Sequence, residues 1–534
     1  MQTLADIPRK WASMIPDKEC MVCYSYDEER FTWKQLNDRI NRLANALLKL
    51  GFKRGEHLAI LMENCHRYVE LYYATYKTGI IPVPLNFRLH RNEIRHIIEH
   101  SDARGLVVGP EKELHEILAA IKPQLKKVRT FISAIERVPG MEYYEKMLEQ
   151  STSNEPPVEI KEDDDALLMY TGGTTGLPKG AVLTHRNQVN WIIDGLITSV
   201  VFNSTSFNKD DSTLFILPAF HISYWPIILY HFLGLKVVMV RRPDLIQIMQ
   251  LIEKEKITHM NAVPTVYFWL VNHPDLRKYD LSSIVSFGWA GAQFPHEVLK
   301  QCIEVFGPVF TSGCGATEGG PWAQLGFSDH VIEGSELEKD RIKSIGKPTL
   351  LCDVKIVDDN GREVKQGEVG EMVVKTKSTM KEYWKDPEKT KKVMKGDWYY
   401  TGDLGYVSED GYIYLKERTA DMIKSGGERV YPSEVENVIY KHPSVSEVTV
   451  IGAPDLEWGE KVVAVVYLKR EFHEKYKENE DSLRNELKEL CRKELSGYKC
   501  PKVIDFSDQP LPKTVVGKLT RKELKDKYKT AGNK

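Results

Sequence analysis

Short apolar runs alternate with longer amphipathic stretches through about the first four hundred residues of the chain. The apolar runs at 57–62, 105–108, 236–240 and 284–287 have the length of buried strands. Between such runs lie segments with helical periodicity, including 33–50 and 245–256. Strands that alternate with helices in this way predict parallel sheets covered by helices.

The pattern changes between residues 344 and 415, where short strands are interrupted by turns. The clearest turn sequences are Asp359-Asn360-Gly361 and Glu409-Asp410-Gly411, and Asn or Asp before Gly favours a tight chain reversal. This segment therefore predicts a small antiparallel barrel or sheet. We assign it, as a β-rich subdomain, to an N-terminal domain covering residues 1–416.

A second α/β unit is predicted at residues 417–534. Its elements are a helix at 433–440, strands at 448–451 and 462–468, and a charged amphipathic helix at 481–495. The Lys-rich end after Lys518 is expected to be a frayed, solvated tail.

Composition excludes several classes of function. A chain of 534 residues is too long for one hydrophobic core, so at least two domains are expected. The formal net charge of −2 gives no global basic field that would favour nucleic acid. Among the eight cysteines, Cys20 and Cys23 alone are closely spaced. Without a second pair they are interpreted as strand residues in a reducing cytosol rather than as a zinc site, which predicts a cytoplasmic protein.

One stretch has the length of a membrane span. Residues 216–235 contain no Lys, Arg, Asp or Glu. However, Pro218, Pro226, His221 and His231 interrupt the stretch, and 236–240 then has the pattern of a buried parallel strand. A turn and a packed helix inside an α/β core explain it better than a transmembrane helix does. The acidic and polar N-terminal residues do not match a signal peptide.

The strand at 166–170 runs into a loop with the chemistry of a phosphate site. The loop reads Thr171-Gly172-Gly173-Thr174-Thr175-Gly176-Leu177-Pro178-Lys179-Gly180. Its glycines let backbone N–H groups turn towards an anion, the threonines add hydroxyl donors, and Lys179 adds a positive charge. Lys179 lies between Pro and Gly, so this is not the common Gly-Lys-Ser/Thr nucleotide loop. A glycine-rich surface turn is the alternative.

Further motifs follow downstream, and together with the loop they span nearly the whole chain. They are Leu217-Pro218-Ala219-Phe220-His221, Val263-Pro264-Thr265, Ala290-Gly291-Ala292, Gly315-Ala316-Thr317-Glu318, Thr401-Gly402-Asp403, Arg418 to Gly427, and Pro512-Lys513-Thr514-Val515-Val516-Gly517-Lys518. In this order and spacing they resemble the signature of adenylate-forming enzymes, the superfamily of acyl-CoA synthetases, luciferases and peptide-synthetase adenylation domains.

The resemblance implies a fold and a reaction. The fold is α/β, with a large N-terminal domain of two helix-covered, mostly parallel sheets plus a small β-barrel, followed by a small mobile α/β C-terminal domain. The reaction converts a carboxylic acid and ATP into an acyl-adenylate and pyrophosphate, and then transfers the acyl group to a thiol. Adenylation is needed because oxide and hydroxide are poor leaving groups, whereas AMP is a good one. The chemistry therefore depends on clamping two anions in line.

The resemblance also implies roles for individual residues, with ATP and coenzyme A as co-substrates and Mg²⁺ as the metal cofactor. The catalytic set is Lys518, Thr317, Glu318 and Lys179, and Glu318 is the expected Mg²⁺ ligand. The ATP and AMP contacts are Thr171, Gly172, Gly173, Thr174, Thr175, Gly176, Lys179, Gly291, Ala292, Gln293, Cys314, Gly315, Ala316, Thr317, Asp403, Arg418 and Lys518. The residues near coenzyme A are Lys424, Gly426 and Gly427, and Ala420 is the hinge. The acyl pocket comprises His221, Ser223, Tyr224, Trp289, Ala290, Ser312, Gly313 and Trp322.

Each of these roles has a plainer alternative. Lys518 in a basic terminus is otherwise a surface charge, and the glycine pair at 426–427 is otherwise a hairpin turn. Asp403 and Arg418 are otherwise an ion pair at a domain boundary. His221 is either a gate to the pocket or an interior histidine, and core packing explains the two tryptophans equally well.

The sequence departs from the family pattern at four positions. Cys314 stands where an aromatic residue commonly stacks on adenine, and Ala420 stands at the hinge, where Lys or Asp is usual. Glu417 and Glu382 each replace a commoner residue. The change at Cys314 puts adenine stacking in doubt, and the change at Ala420 puts the balance between two conformations in doubt. Neither change removes a charge that the chemistry demands.

The leading hypothesis is an ATP-dependent acid–CoA ligase. Since the expected acyl pocket has no fixed charge, and two tryptophans would shorten it, the acid is expected to be medium-chain fatty, alicyclic or aromatic. Two alternatives stay open: an enzyme that loads a carrier protein, and an ATP-binding regulator without ligase activity. The expected partners are small molecules without nucleic acid or a transmembrane span, and a homodimer is left open.

Overall fold

The computed structural model describes residues 1–171, 178–242, 244–290, 294, 296–331, 333–418, 421–425, 428–455, 458–476, 479–513 and 520–531. The chain divides into two compact units. The first comprises Met1–Val354 and Val374–Tyr399, and the second comprises Lys355–Val373 and Tyr400–Lys534. The β-rich segment predicted at 344–415 contributes to both units, and a domain boundary after residue 416 stays a prediction.

The strands are β1 (Glu19–Tyr24), β2 (Glu28–Thr32), β3 (His57–Leu61), β4 (Ile81–Pro84), β5 (Ala103–Val108), β6 (Thr130–Ser133), β7 (Glu142–Tyr143), β8 (Asp165–Thr171), β9 (Lys179–Thr184), β10 (Ser212–Phe215), β11 (Lys236–Val240), β12 (His259–Ala262), β13 (Ser286–Trp289), β14 (Phe310–Ala316), β15 (Gly320–Leu325), β16 (Lys347–Pro348), β17 (Asp353–Val357), β18 (Gly370–Lys375), β19 (Glu382–Tyr383), β20 (Met394–Lys395), β21 (Trp398–Val407), β22 (Ile413–Arg418), β23 (Ile423–Ser425), β24 (Glu428–Val430), β25 (Val445–Asp455), β26 (Gly459–Leu468) and β27 (Val503–Ser507).

The α-helices are α1 (Asp6–Met14), α2 (Trp33–Lys49), α3 (His66–Thr78), α4 (Arg91–His100), α5 (Lys112–Ile121), α6 (Tyr144–Glu149), α7 (His185–Val201), α8 (Trp225–Phe232), α9 (Leu245–Glu255), α10 (Pro264–Val271), α11 (His296–Phe306), α12 (Glu336–Arg341), α13 (Pro387–Val393), α14 (Pro432–Ile439), α15 (Arg470–Tyr476), α16 (Glu480–Glu494) and α17 (Lys522–Ala531).

The largest sheet of the first unit has nine strands in the order β16-β15-β14-β13-β12-β10-β11-β1-β2. Its central pairs, from β1–β11 across to β13–β14, are parallel, and antiparallel β2, β15 and β16 form its edges. The carboxyl ends of β10, β12 and β13 therefore meet at one edge, which is where open α/β sheets place their ligands.

A second sheet of the first unit has the order β4-β3-β5-β6-β7 and is parallel throughout. Helix α3 is buried along its whole length, because its tyrosines pack in one core with Met21 and Val237 of the nine-stranded sheet and with Leu58 and Ile60 of this one. The two helix-covered, mostly parallel sheets confirm the predicted fold class.

The apolar stretch at 216–235 is part of this core. Helix α8 lies between β10 and β11 in the chain, and β11 has the predicted bounds. Among the described residues, no helix is long and apolar enough to cross a membrane. Cys20 and Cys23 lie on strand β1, as predicted, and both are buried. The eight cysteines are free.

The β-rich segment forms a further five-stranded sheet in the order β17-β18-β21-β20, with β22 also paired to β21. The predicted turns are present, since Gly361 and Gly411 have φ values of 77° and 86°. L-residues with a side chain rarely adopt this left-handed region, and glycine adopts it freely. The sheet is consistent with the small antiparallel element expected here.

The C-terminal part of the second unit is an α/β unit with the sheet order β24-β23-β26-β25 and β27 paired to β26. The prediction of a frayed tail is wrong for residues 522–531, which form α17. Leu524 on this helix is buried. The Arg521 guanidinium lies 2.8 Å from Glu436, and the Lys525 ammonium lies 3.0 Å from Asp421. An apolar face between the lysines, too short to give a clear periodic signal, holds the segment in place.

Candidate functional site

The phosphate-type loop connects two antiparallel strands. Thr171, the last residue of β8, is the register partner of Lys179, the first residue of β9. The hairpin therefore brings the two ends of the loop side by side. The loop residues Gly172, Gly173, Thr174, Thr175 and Gly176 lie outside the described residues, as does Leu177.

Glu318 lies in the turn between β14 and β15. The turn is sterically demanding, because Gly320 has a φ of 75° and a Cβ there would come within 2.5 Å of the Ser378 Cβ. The backbone carbonyl of Glu318 accepts a hydrogen bond of 2.8 Å from the Met380 N–H. The neighbouring Thr317 is buried. The predicted metal ligand is thus carried by a tight hairpin that is held against the segment leading to β19.

The carboxylate of Glu318 faces the entrance of the loop. The Thr171 hydroxyl donates to Oε1 of Glu318 over 2.8 Å, and the Tyr383 hydroxyl donates to the same oxygen over 3.1 Å. The Lys179 ammonium lies 5.3 Å from the centroid of the Tyr383 ring, within the range of a cation–π contact. The structure therefore brings together three of the predicted site residues, Thr171, Lys179 and Glu318, around one tyrosine.

Tyr383 was missed by the sequence reasoning, which singled out only the neighbouring Glu382. The strand β19 pairs with β9 and places Tyr383 opposite Ala181. Burial, together with the charge of Glu318, raises the pKa of the Tyr383 phenol. The hydroxyl is therefore protonated at neutral pH and acts as a hydrogen-bond donor.

The donor set around Glu318 fits a magnesium ion that ATP helps to bind. Among the described residues there is no group of three or more His, Cys, Asp or Glu side chains able to enclose a metal. Mg²⁺ in nucleotide sites commonly takes one or two carboxylates and completes its shell with phosphate oxygens and water. The single carboxylate of Glu318 matches such a nucleotide-dependent site. A metal site formed by protein ligands alone would need more of them.

The ends of β13 and β14 form an open surface of small residues. Trp289 on β13 is the register partner of Ser312 on β14. Beyond this pair, Ala290 and Gly313 are exposed, and so is Gly315 further along β14. Cys314 is half-buried. Gly291, Ala292 and Gln293 lie outside the described residues.

The aromatic side chains assigned to the acyl pocket have protein partners. The Trp289 Nε1–H donates to Nε2 of His330 over 3.2 Å, and the His330 Nδ1–H donates to the Gly326 carbonyl over 2.8 Å. Burial lowers the pKa of His330 to about 4, so the imidazole is neutral and can accept the indole proton. Nothing in the local sequence pattern pointed to His330, because it lies 41 positions from Trp289.

Trp322 on β15 is buried, with 3% of its surface exposed. A Cβ at Gly319 would come within 2.5 Å of its Nε1 atom, and its ring lies 6.5 Å from that of Tyr399. The indole therefore packs against the backbone of the hairpin that carries Glu318. These contacts account for its burial and leave its role in substrate selection as a proposal.

His221, Ser223 and Tyr224 follow β10 in the chain, at the carboxyl edge of the large sheet. Nδ1 of His221 accepts a hydrogen bond from the Ser223 N–H, and burial lowers the pKa of this histidine. The Ser223 hydroxyl donates to the Pro218 carbonyl over 3.1 Å. The Tyr224 hydroxyl donates to Gln188 over 2.9 Å. None of the three side chains carries a fixed charge, and their assignment to an acyl pocket stays a prediction.

The remaining predicted residues belong to the second unit. Asp403 on β21 is buried and is the register partner of Arg418 on β22. Its N–H donates to the Thr401 hydroxyl over 3.0 Å, and that hydroxyl donates to the Met372 carbonyl over 2.7 Å. Two hydrogen bonds through the Thr401 hydroxyl therefore hold the part of β21 that carries the aspartate.

Other second-unit predictions lie wholly or partly beyond what the structure describes. The side chains of Arg418 and Lys424 are not among the described groups, although Lys424 lies on β23, opposite Arg429 of β24. Ala420, Gly426, Gly427 and Lys518 lie outside the described residues.

Comparison with known proteins adds independent findings. Residues 8–384 match the family model described as AMP-binding enzyme, and residues 434–518 match the AMP-binding enzyme C-terminal domain. The chain is 34% identical over 502 residues to a feruloyl-CoA synthase of Amycolatopsis sp, covering 93% of this chain and 94% of that protein. It is 32% identical over 534 residues to the long-chain-fatty-acid–CoA ligase FadD13 of Mycobacterium tuberculosis, covering 99% of each chain.

A solved structure is similar over the same length. The anthranilate CoA ligase AuaEII in complex with anthranoyl-AMP superimposes with a TM-score of 0.85 at 25% identity, covering 100% of this chain and 98% of that one.

Proposed function

The chain belongs to the AMP-binding enzyme family, and we propose that it is an ATP-dependent acid–CoA ligase. Two relatives that match it along nearly their whole length are named as a CoA synthase and a CoA ligase. The observation that supports the proposal most strongly is the position of the Glu318 carboxylate beside the two ends of the glycine-rich loop, at Thr171 and Lys179.

In the proposed first step, the substrate carboxylate attacks the α-phosphate of ATP and pyrophosphate leaves. Lys179 and the loop bind the polyphosphate, and Thr317 donates to a phosphate oxygen. Mg²⁺, held by Glu318 and the phosphates, would neutralise negative charge as it develops. By resemblance to the family, Lys518 contacts both the carboxylate and the α-phosphate. The protein's contribution is mainly positioning and electrostatic stabilisation.

In the proposed second step, the coenzyme A thiol attacks the acyl carbon and AMP leaves. Lys424, Gly426 and Gly427 are the proposed contacts of the pantetheine arm, since a glycine pair allows close approach of a thin ligand. Asp403 and Arg418 are proposed to bind the ribose of the nucleotide. Ala420 is the proposed hinge for a change of conformation between the two steps.

We infer that the acid has an uncharged tail of moderate size. The polar groups of His221, Ser223 and Tyr224 are engaged with protein partners, and these residues carry no fixed charge. The named substrates of the relatives range from an aromatic acid to long-chain fatty acids. Bulky Trp289 and Trp322 favour medium-chain fatty, alicyclic or aromatic acids over very long ones.

A panel assay tests this assignment. Purified protein is incubated with ATP, Mg²⁺ and coenzyme A and with fatty acids of increasing length, alicyclic acids and hydroxycinnamic or benzoic acids. Loss of free thiol is followed for each acid. We expect a maximum among the medium-chain or cyclic acids. Acid-dependent pyrophosphate exchange without thiol loss would indicate a carrier-protein acceptor, and no exchange with any acid would indicate an ATP-binding regulator.

A further inference from the structure

Tyr383 lies between the two charged groups of the candidate site. Its side chain is 4% exposed. Its hydroxyl donates to Oε1 of Glu318 over 3.1 Å, while the Lys179 ammonium lies 5.3 Å from its ring centroid. One side chain therefore contacts a predicted metal ligand through its polar end and a predicted phosphate-binding lysine through its aromatic ring.

The backbone of Tyr383 is fixed on both sides. It pairs with Ala181 of β9, the strand that begins at Lys179. Its N–H donates to the Thr390 hydroxyl over 2.9 Å, and that hydroxyl donates to the Asp386 carbonyl over 2.9 Å. Since the main chain on both sides is hydrogen-bonded, the ring occupies a defined position before any ligand binds.

The hydrogen bonds to Glu318 are unevenly distributed over its carboxylate. Oε1 accepts hydrogen bonds from both Thr171 and Tyr383, whereas Oε2 accepts none from the described residues. Glu318 is half-buried and has several rotamers available in principle. Two hydroxyl donors on one oxygen select a single orientation and leave the other oxygen for a cation.

We propose that Tyr383 is a positioning residue, which orients the Glu318 carboxylate towards magnesium-bound ATP through its hydroxyl and places the Lys179 ammonium through its ring. The inference rests on the proposed function, because it assumes that ATP occupies this site. Tyr383 need not touch the substrate.

Two variants separate the two contacts. Tyr383→Phe removes the hydroxyl and keeps the ring, whereas Tyr383→Leu removes both. Tyr26→Phe is the matched control, because the Tyr26 hydroxyl also donates to a carboxylate, that of Glu111, and neither residue is one of the predicted site residues. ATP binding is measured by calorimetry without an acid substrate, over a range of Mg²⁺ concentrations and also with EDTA. Thermal melting is recorded for each variant.

For Tyr383→Phe we expect the Mg²⁺ concentration at half-maximal ATP binding to rise roughly tenfold, the size expected for losing one hydrogen bond to a charged group. ATP binding in EDTA should be unchanged. Tyr383→Leu should also weaken ATP binding in EDTA. In a Glu318→Gln background, Tyr383→Phe should have no further effect on Mg²⁺ dependence, because the group that it positions has been altered.

Three results would overturn the proposal. One is a Tyr383→Phe variant with the Mg²⁺ dependence of the Tyr26→Phe control. Another is a variant with lower melting temperature and equal loss of ATP binding with and without Mg²⁺, which would make the tyrosine a packing residue. The third is that the effects of Tyr383→Phe and Glu318→Gln on the Mg²⁺ dependence of ATP binding are fully additive. Because binding is measured without acid or coenzyme A, failure of the ligase proposal in the acid panel is a separate result.

Discussion

The Thr171 hydroxyl donates a hydrogen bond of 2.8 Å to Glu318, across 147 positions of the chain. Thr171 is the last residue of β8, where the glycine-rich loop begins, and Glu318 lies in the turn after β14. Two segments that belong to different sheets therefore meet at the ends of their strands. This contact joins the phosphate-type loop and the predicted metal ligand into one site within the first unit.

Replacement of Thr171 tests that contact. Thr171→Val keeps the shape of the side chain and loses the donor, while the Tyr383 hydroxyl remains on the same oxygen. We expect acid-dependent pyrophosphate exchange to fall by about tenfold, the value of one hydrogen bond to a charged group. Thr171→Ser, which keeps the hydroxyl, should retain most of the activity. Equal losses in the two variants would mean that the hydroxyl has no role.

Lys518→Ala tests the division of the reaction into two steps. Since Lys518 is proposed to stabilise charge at the α-phosphate, adenylate formation should be largely abolished. Thioester formation from supplied acyl-AMP should be largely spared, because that step no longer involves an attack on phosphorus. Single-turnover assays of each half-reaction measure the two effects. Equal loss in both halves would contradict the assignment.

Gly427→Leu is expected to produce the opposite result. A leucine side chain should block the narrow route proposed for the pantetheine arm, while pyrophosphate exchange stays close to the wild-type rate. The same pair of half-reaction assays applies. A variant that makes acyl-CoA at the normal rate would show that Gly427 is only a turn residue.

Trp322→Ala distinguishes substrate selection from packing. Removing an indole packed against Gly319 and Tyr399 should lower the free energy of unfolding by about 3–5 kcal/mol. If the indole also limits the acyl pocket, as we propose, the preferred acid should become longer or bulkier. The change in relative kcat/KM between the acids should correspond to roughly 1–3 kcal/mol. Thermal melts and a chain-length profile are measured together. A destabilised enzyme with an unchanged ranking of acids would make Trp322 a structural residue alone.

His66 should make the stability of the first unit depend on pH. Burial alone would lower the pKa of His66. Its interactions with Cys23 and Glu29 and the charge of Glu70 have a larger effect and raise the pKa to about 9. Oε2 of Glu29 lies 2.9 Å from Nδ1 of His66. Since this exceeds the ordinary value of 6.5, the protonated ring stabilises the folded state fully below pH 6.5. That contribution is lost as the pH rises through about 9.

The melting temperature of the wild type should therefore fall more steeply between about pH 6.5 and 9 than that of His66→Gln. Calorimetric scans at matched ionic strength measure the difference. Parallel profiles for the two proteins would contradict the assigned protonation of His66.

Elements with strong local patterns were predictable from the sequence. The strand Lys236–Val240 has its predicted bounds, and α9 ends one residue before the predicted end. The strand is a continuous apolar run that is buried, and α9 is amphipathic, with Ile248, Met249, Leu251 and Ile252 on its buried face. By contrast, β13 begins at Ser286, two residues later than predicted. The Ile284 N–H instead donates to the Leu281 carbonyl, which completes a turn before the strand begins.

The contacts within the candidate site were harder to predict from the sequence. The motifs identified Thr171, Lys179 and Glu318 individually. The periodicity of apolar residues along the chain does not predict the pairing of Tyr383 with Ala181 or the hydrogen bond from Trp289 to His330. Such contacts arise from the pairing of strands that are far apart in the chain. The hydrophobic pattern of a strand indicates which face is buried, but it does not identify the distant strand with which it pairs. The helix α17 was missed for a related reason, since its apolar face is defined by the β25 strand that it covers.

We propose that the protein forms an acid–CoA thioester at the expense of ATP, which is cleaved to AMP and pyrophosphate. The direct measurement is a product balance for an acid found active in the panel, with AMP and ADP separated by chromatography and acyl-CoA identified by mass spectrometry. We predict equal amounts of AMP, pyrophosphate and acyl-CoA, all dependent on the acid. Formation of ADP and phosphate, or AMP release without any acyl-CoA, would contradict the account.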